Sequence, residues 1–387
     1  MNGIPVGRVL GFEIRVHLSW VLILALVAVV TVGQLELAAP DAEPVLRWAV
    51  GALIAAAFFA SVLAHELGHG LVARGRGLAT GPITLFFFGG STAFDHDTDR
   101  PADEAAVAVA GPLVSIAIGV VLSVAALLIG GARDELLQAT AAAALTLGVL
   151  NLLLGGINLV PGFPLDGGRI LRAVIWARTG DRQRGTRIAA TTGRVIGWLL
   201  VGAGLAVVLG GDPTNGILLG LSGWFLGNAS RAVVRQQAVE ELLRAVTIEE
   251  AMERDVPTVA SQLTLDTFAD QLFGGPGGGG GEGGPSVVPV VRNDAVVGVI
   301  GPAQLRTVGR SSWTTTRAEQ LMIDAADVPV LSPTDSVWSG LDRLRRSGLD
   351  GLPVADSSGV LGMLTRRAVV RTIQARSPSP AAGGTAV

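Results

Sequence analysis

The 387-residue chain has no cysteine, no tyrosine and no lysine, and only four histidines. Without cysteine it has no disulfides, no thiolate metal ligands and no cysteine nucleophile. All 29 basic residues are arginine, which together with abundant Ala, Gly and Val reads as the imprint of a GC-rich genome rather than of function. Charge is scarce: Asp, Glu and Arg make up 16% of the chain, against about 25% in a soluble domain. The net charge of −3 excludes a general nucleic-acid binder. Any metal must be held by His17, His65, His69, His96 and carboxylates.

Apolar residues, by contrast, reach 49%, and their arrangement indicates a polytopic membrane protein. Six runs, at about residues 18–33, 48–73, 104–130, 137–159, 188–210 and 215–233, each suffice for one helical crossing of about 20 residues. A cleaved signal peptide is the alternative reading of the first run, but the later runs need it to complete the topology. Residues 34–44 contain no arginine, whereas Arg74, Arg76 and Arg100 follow the second run, and Arg169, Arg172, Arg178, Arg182, Arg184 and Arg187 follow the fourth. The positive-inside rule therefore puts both termini in the cytosol with six crossings, and the expected location is the plasma (inner) membrane. Residues 3–19 alternate at period two in places and suggest short strands at the membrane surface. Residues 81–94 are apolar, too short to span and broken by Gly89-Gly90. They fit a short membrane-associated β-hairpin that dips into the bilayer, with an interfacial loop as the alternative. The acidic stretch Asp95–Asp99 reads as a solvated loop.

Inside the second run stands His65-Glu66-Leu67-Gly68-His69. Histidines at i and i+4 share one helix face and reach a single metal ion, while the adjacent glutamate can take a proton from water. The competing reading is a chance match on a core helix. That accident would have to place three ionisable groups in hydrocarbon, where each is costly. Entering near Arg47, the helix carries His65 roughly 27 Å onward at about 1.5 Å per residue, toward the cytosolic face. The soluble metzincin extension is excluded, because Val72 and Gly75 stand where it needs Gly and His.

The fourth run ends in Asn158-Leu-Val-Pro161-Gly-Phe-Pro164-Leu-Asp166-Gly167-Gly168-Arg169, a helix-breaking elbow. Topology places it at the depth of His65 and His69. Asp166 is the candidate third ligand, leaving one position open for water; its alternative role is to cap the helix that follows. From Ala238 onward the composition turns soluble and a repeat appears, beginning at Asp255-Val-Pro and again at Asp327-Val-Pro. The expected division is a transmembrane domain at 1–235, a linker at 236–246, and paired modules at 247–310 and 317–375. The first module holds a Gly-rich insertion at 274–284, and a flexible tail at 376–387 ends the chain.

Taken together, these residues resemble the site-2-protease family of intramembrane zinc metalloproteases, in the branch that carries a C-terminal pair of cystathionine-β-synthase (CBS) domains. The likeness spans Gly11–Trp20, the HELGH turn, Gly111-Pro112 and the Asn158–Gly168 elbow. The implied fold is six transmembrane helices with a cytosolic α/β CBS-domain pair. The implied activity is hydrolysis of a peptide bond in or near the transmembrane segment of a protein substrate (regulated intramembrane proteolysis). The resemblance assigns Zn2+ to His65, His69 and Asp166 and the general base to Glu66. It gives Asn158 a part in orienting substrate or polarising its carbonyl, the alternative being a bond to backbone freed by the elbow. It also implies an adenine nucleotide at the CBS pair and homo-oligomerisation through it. However, only Thr365 remains of the nucleotide-binding G-x-x-T/S-x-x-D pattern, so a structural or docking role stands beside nucleotide sensing. Other classes that fit parts of the chain are a CBS-gated transporter or channel and a non-cleaving family member that binds transmembrane partners. A further expectation is that an edge of the hairpin, near Leu85 and Phe87, receives the unwound substrate as an added strand.

Overall fold

The computed structural model describes residues 3–38, 43–78, 80–86, 89–94, 98, 100–130, 135–254, 256–270, 287–293, 295–357 and 359–376. The expectations for the acidic stretch at 95–99, the Gly-rich insertion and the tail fall almost wholly outside these residues. The chain divides into two compact units, Met1–Arg235 and Gln236–Val387.

The first unit opens with strands β1 (Ile4–Val9) and β2 (Phe12–Val16), then helices α1 (Ser19–Ala38) and α2 (Pro44–Gly75). Strands β3 (Thr80–Phe86) and β4 (Gly89–Phe94) follow, then α3 (Pro101–Ile129), α4 (Glu135–Asn158), α5 (Asp166–Thr179), α6 (Arg182–Leu209) and α7 (Pro213–Ala245). Six of these helices, all but α5, are long and apolar enough to cross a membrane, matching the six runs. Their large side chains face outward, with Leu128 and Leu209 about four-fifths exposed, while glycine and alanine occupy the contacts. That distribution is expected where lipid is as apolar as leucine and close backbone approach drives association. Amphipathic α5 does not span; it holds part of the arginine-rich segment read as a cytosolic connection.

The hairpin β3–β4 is present but is not free-standing. The sheet order is β1-β2-β3-β4, with β2 parallel to β3 (Ile14 opposite Ile83, Val16 opposite Leu85) and β3 antiparallel to β4 (Phe86 opposite Gly89). Alternation at period two turns Phe12, Ile14, Ile83 and Leu85 into one buried cluster with Trp20 and with Val62 of α2. This corrects the expected substrate edge at Leu85, while Phe87 lies outside the described residues. Both sides of β3 are already paired, so the edges left in this sheet belong to β1 and β4.

In the second unit the residues expected as a linker at 236–246 are mostly helix, because α7 runs on to Ala245. The reason is legible: Val239, Leu242, Leu243 and Val246 recur at helical spacing and pack into a core with Val337, Leu344, Leu352 and Met363. Helix α8 (Ile248–Ala251), β5 (Val259–Ala260), α9 (Leu265–Ala269), β6 (Val288–Arg292), β7 (Ala295–Ile300), α10 (Pro302–Leu305) and β8 (Ile323–Asp324) come next. They are followed by α11 (Val337–Ser347), β9 (Gly351–Asp356), β10 (Gly359–Thr365) and α12 (Arg366–Arg376). The two modules exchange their leading segments. Ile248 and Met252 lie in the core of the second repeat, and Glu253 bridges Met363. Conversely Ala318, Leu321 and Met322 pack against Val259, Phe268 and Val290 of the first. Packing therefore crosses the boundaries of the sequence repeats at 247–310 and 317–375.

Candidate metal centre

Helix α2 places His65, Glu66 and His69 together near its C-terminal end, all three buried. The His65 and His69 Nε2 atoms lie 3.2 Å apart. Asp166, the first residue of α5, brings Oδ2 to 3.3 Å from His65 Nε2 and 3.2 Å from His69 Nε2. The elbow that delivers it is tightly folded: a Cβ at Gly168 would lie 2.5 Å from the backbone of Gly162 and Phe163.

The outer faces of both imidazoles are anchored by α3. His69 Nδ1 stands 2.7 Å from the Val107 carbonyl, which only accepts, so Nδ1 carries the proton and Nε2 presents a lone pair inward. His65 Nδ1 stands 2.8 Å from Ser115 Oγ, a partner able to receive the same donation. Two nitrogen lone pairs and a carboxylate oxygen then converge with no hydrogen between them, an arrangement that asks for a cation.

The dimensions suit zinc. A tetrahedral ion with bonds of about 2.0–2.1 Å sets its ligand atoms roughly 3.3–3.4 Å apart, close to the edges of this triangle. Space for it exists because position 111 is glycine: an added Cβ there would lie 2.3 Å from His69 Nε2 and 2.6 Å from His65 Nε2. Val107, Gly111 and Ser115, spaced four apart, form one stripe of α3 and the back wall of the site. The residues present therefore fit a zinc ion.

A second polar cluster holds α5 in place. Arg172 Nε donates to Glu104 Oε1 at 2.6 Å, and Glu104, near the start of α3, is 1% exposed. Of the residues expected from sequence, the structure brings His65, Glu66, His69 and Asp166 together. A Glu66 carboxylate oxygen lies within 4.8 Å of the imidazole nitrogens. Asn158 ends α4 with its amide donating to the Leu154 carbonyl at 2.9 Å. His17 pairs with Ser19 instead, Nδ1 to Oγ 2.9 Å, and His96 lies outside the described residues. Sequence reasoning missed Ser115, the Val107 carbonyl and the Glu104–Arg172 pair. The one available signal was a small-residue stripe passing through Gly111-Pro112.

The chain is similar to known zinc metalloproteases. The profile of Peptidase family M50 matches residues 53–144 and 132–200, and that of the CBS domain matches 318–375. A Mycobacterium tuberculosis relative bearing the name of a zinc metalloprotease, Rip3, is 32% identical over 374 residues, covering 96% of this chain and 93% of its own. A Synechocystis relative named likewise, sll0528, is 31% identical over 374 residues and 96% of each chain. Among solved structures, the site-2 protease from Methanocaldococcus jannaschii is 30% identical, covering 60% of this chain and 95% of its own with a TM-score of 0.41.

Proposed function

The chain belongs to peptidase family M50 as a multi-pass, zinc-dependent metalloprotease with a CBS module, and from that premise we propose that it cleaves a membrane-protein substrate in or near its transmembrane segment. The observation that carries this reading is the meeting of His65, His69, Asp166 and Glu66 within a helical unit built to span a membrane. We assign the zinc ligands to His65 Nε2, His69 Nε2 and Asp166 Oδ2. Glu66, with a carboxylate oxygen within 4.8 Å of the imidazole nitrogens, is assigned the part of the base.

Bound zinc would supply a Lewis acid that acidifies water and polarises the scissile carbonyl. The rest is the work of the chain itself. Glu66 accepts the proton of the attacking water on its carboxylate and returns it to the departing amide nitrogen. Burial of His65, Glu66 and His69 keeps bulk water out, so charges act at low dielectric. Asn158 commits one amide hydrogen to Leu154 and keeps the other for a substrate carbonyl. A helical peptide bond is shielded until a turn unwinds, and the stranded backbone groups then need partners. The outer edge of β4 supplies them by strand addition.

The relatives named zinc metalloproteases favour this reading over a transporter or channel. The positive-inside pattern supports cytosolic termini in the plasma (inner) membrane, and the CBS pair acts there as a regulatory or docking module. The test is cleavage of a transmembrane substrate by full-length protein in proteoliposomes. Glu66→Gln should retain zinc and lose cleavage by at least roughly 10²–10⁴, while His65→Ala should lose both. Wild-type cleavage by Glu66→Gln would end the proposed mechanism.

A further inference from the structure

Between α6 and α7 lies a cavity of about 240 Å³ whose walls include Arg187 and Arg194 of one helix and Arg231 and Arg235 of the other. Each pair sits on one helix face, at i, i+7 and at i, i+4. No carboxylate lines the cavity. Among the described residues Arg187, Arg194 and Arg235 enter no ion pair, and Arg231 donates only to the neutral amide of Asn228. Some other arginines of this unit are matched, Arg76 with Asp103 and Arg172 with Glu104, while Arg178 and Arg184 stand on different helices, α5 and α6, without sharing this hollow. Four guanidinium groups around one hollow repel one another unless an anion sits among them, and their fork geometry suits phosphate oxygens.

The ligand's other end is indicated as well. A shallow surface furrow shares Arg231 with the cavity and runs along the seam where α6 and α7 touch at Gly197, Gly223 and Gly227. Trp198 and Trp224 flank it, each 60% exposed. A cationic hollow leading into an apolar, tryptophan-flanked furrow is matched to an amphiphile, the charged head at the arginines and a chain along the helices.

We infer that this cavity binds the phosphodiester headgroup of an anionic phospholipid, with an acyl chain in the furrow along the seam of α6 and α7. The site backs directly onto the elbow. Ser230, buried in the cavity wall, donates from Oγ to the Phe163 carbonyl at 2.5 Å, and the Phe163 N–H donates to the Ala189 carbonyl at 3.2 Å. A lipid headgroup bridging the arginines of the two helices therefore braces the segment that presents Asp166. That consequence rests on Asp166 as a zinc ligand; the lipid site itself does not.

The test uses full-length protein in nanodiscs of phosphatidylcholine with a minor fraction of phosphatidylglycerol, followed by native mass spectrometry of retained lipid. Wild type should retain phosphatidylglycerol in preference to phosphatidylcholine. Arg194→Gln with Arg235→Gln should lower that preference about 25-fold, near fivefold per arginine. The same pair changed to lysine should keep most of it. Arg178→Gln with Arg184→Gln, an equal charge change outside the cavity, should stay within about twofold of wild type. On unaltered protein, a photoactivatable phosphatidylglycerol should label peptides covering 187–194 and 230–235, and millimolar inorganic phosphate should not displace it. Equal loss in both glutamine pairs, or labelling only elsewhere, would overturn the site. Displacement by phosphate would overturn the lipid in favour of a free anion. Zinc retention against a chelator, higher with phosphatidylglycerol than without, reports the coupling to the elbow separately.

Discussion

Substituting Gly111 by alanine tests the metal centre with one methyl group. The new Cβ would stand 2.3 Å from His69 Nε2, 2.6 Å from His65 Nε2 and 2.7 Å from His65 Cδ2, where ordinary contact needs 3.4–4 Å. The overlap of roughly 1 Å falls on both imidazoles at once. Helix α3 cannot simply back away, because α4 is packed against its other side, where a Cβ at Gly155 would lie 2.7 Å from Ile116 and 3.0 Å from the Pro112 carbonyl. The fold should survive: overpacking costs about 1–3 kcal/mol, and alanine returns up to about 1 kcal/mol of helix propensity. Metal binding should not, since the methyl takes the space between the nitrogens, and a misplacement of about 1 Å is alone worth about 10² in rate. Purified Gly111→Ala protein should unfold within a few degrees of wild type while holding less than about a tenth of its zinc by elemental mass spectrometry. Gly156→Ala, where an added Cβ meets nothing within 4 Å, is the control and should keep full zinc. A Gly111→Ala protein with full zinc and normal cleavage would refute the geometry.

Asp166→Ala should lose zinc as severely as His65→Ala; retention of full zinc would remove Asp166 from the ligand set. Ser115→Ala strands the outer N–H of His65 and should weaken zinc binding about 10–100-fold, measured by chelator competition, with little change in thermal unfolding. Arg172→Ala leaves buried Glu104 with only the more distant Arg182, 3.9 Å away, costing up to about 3–5 kcal/mol and lowering the unfolding midpoint. Proline scanned through Ser91 and Thr92 should split by parity, since adjacent residues point their N–H groups to opposite sides. One position breaks pairing with β3, and the other removes an outward donor and costs cleavage with zinc intact. Deleting residues from 247 onward should leave zinc binding unchanged while altering rate or substrate choice, read by parallel metal analysis and cleavage assays.

What the sequence determined by itself is everything that depends on local period. Six apolar runs predict six spanning helices because a crossing has a minimum length. The His65–His69 spacing predicts two nitrogens on one face because an α-helix repeats every 3.6 residues. The elbow is legible because proline and glycine cannot continue a helix. Asp166 was readable as a candidate from the depth at which topology leaves it, and Val239–Val246 from helical spacing once that stretch is not taken for a linker. Tertiary structure alone decided the rest. It carries Asp166 across 97 residues to within 3.2 Å of His69, and it selects Val107, Gly111 and Ser115 as the wall behind the imidazoles. It also inserts β2 beside β3, which moves the open edge of the sheet to β4, and it exchanges the leading segments of the two CBS repeats. Each of these depends on which small residues let two backbones approach and which strand reaches an edge first. Such choices are made by packing between distant segments, and no periodicity within a segment encodes them.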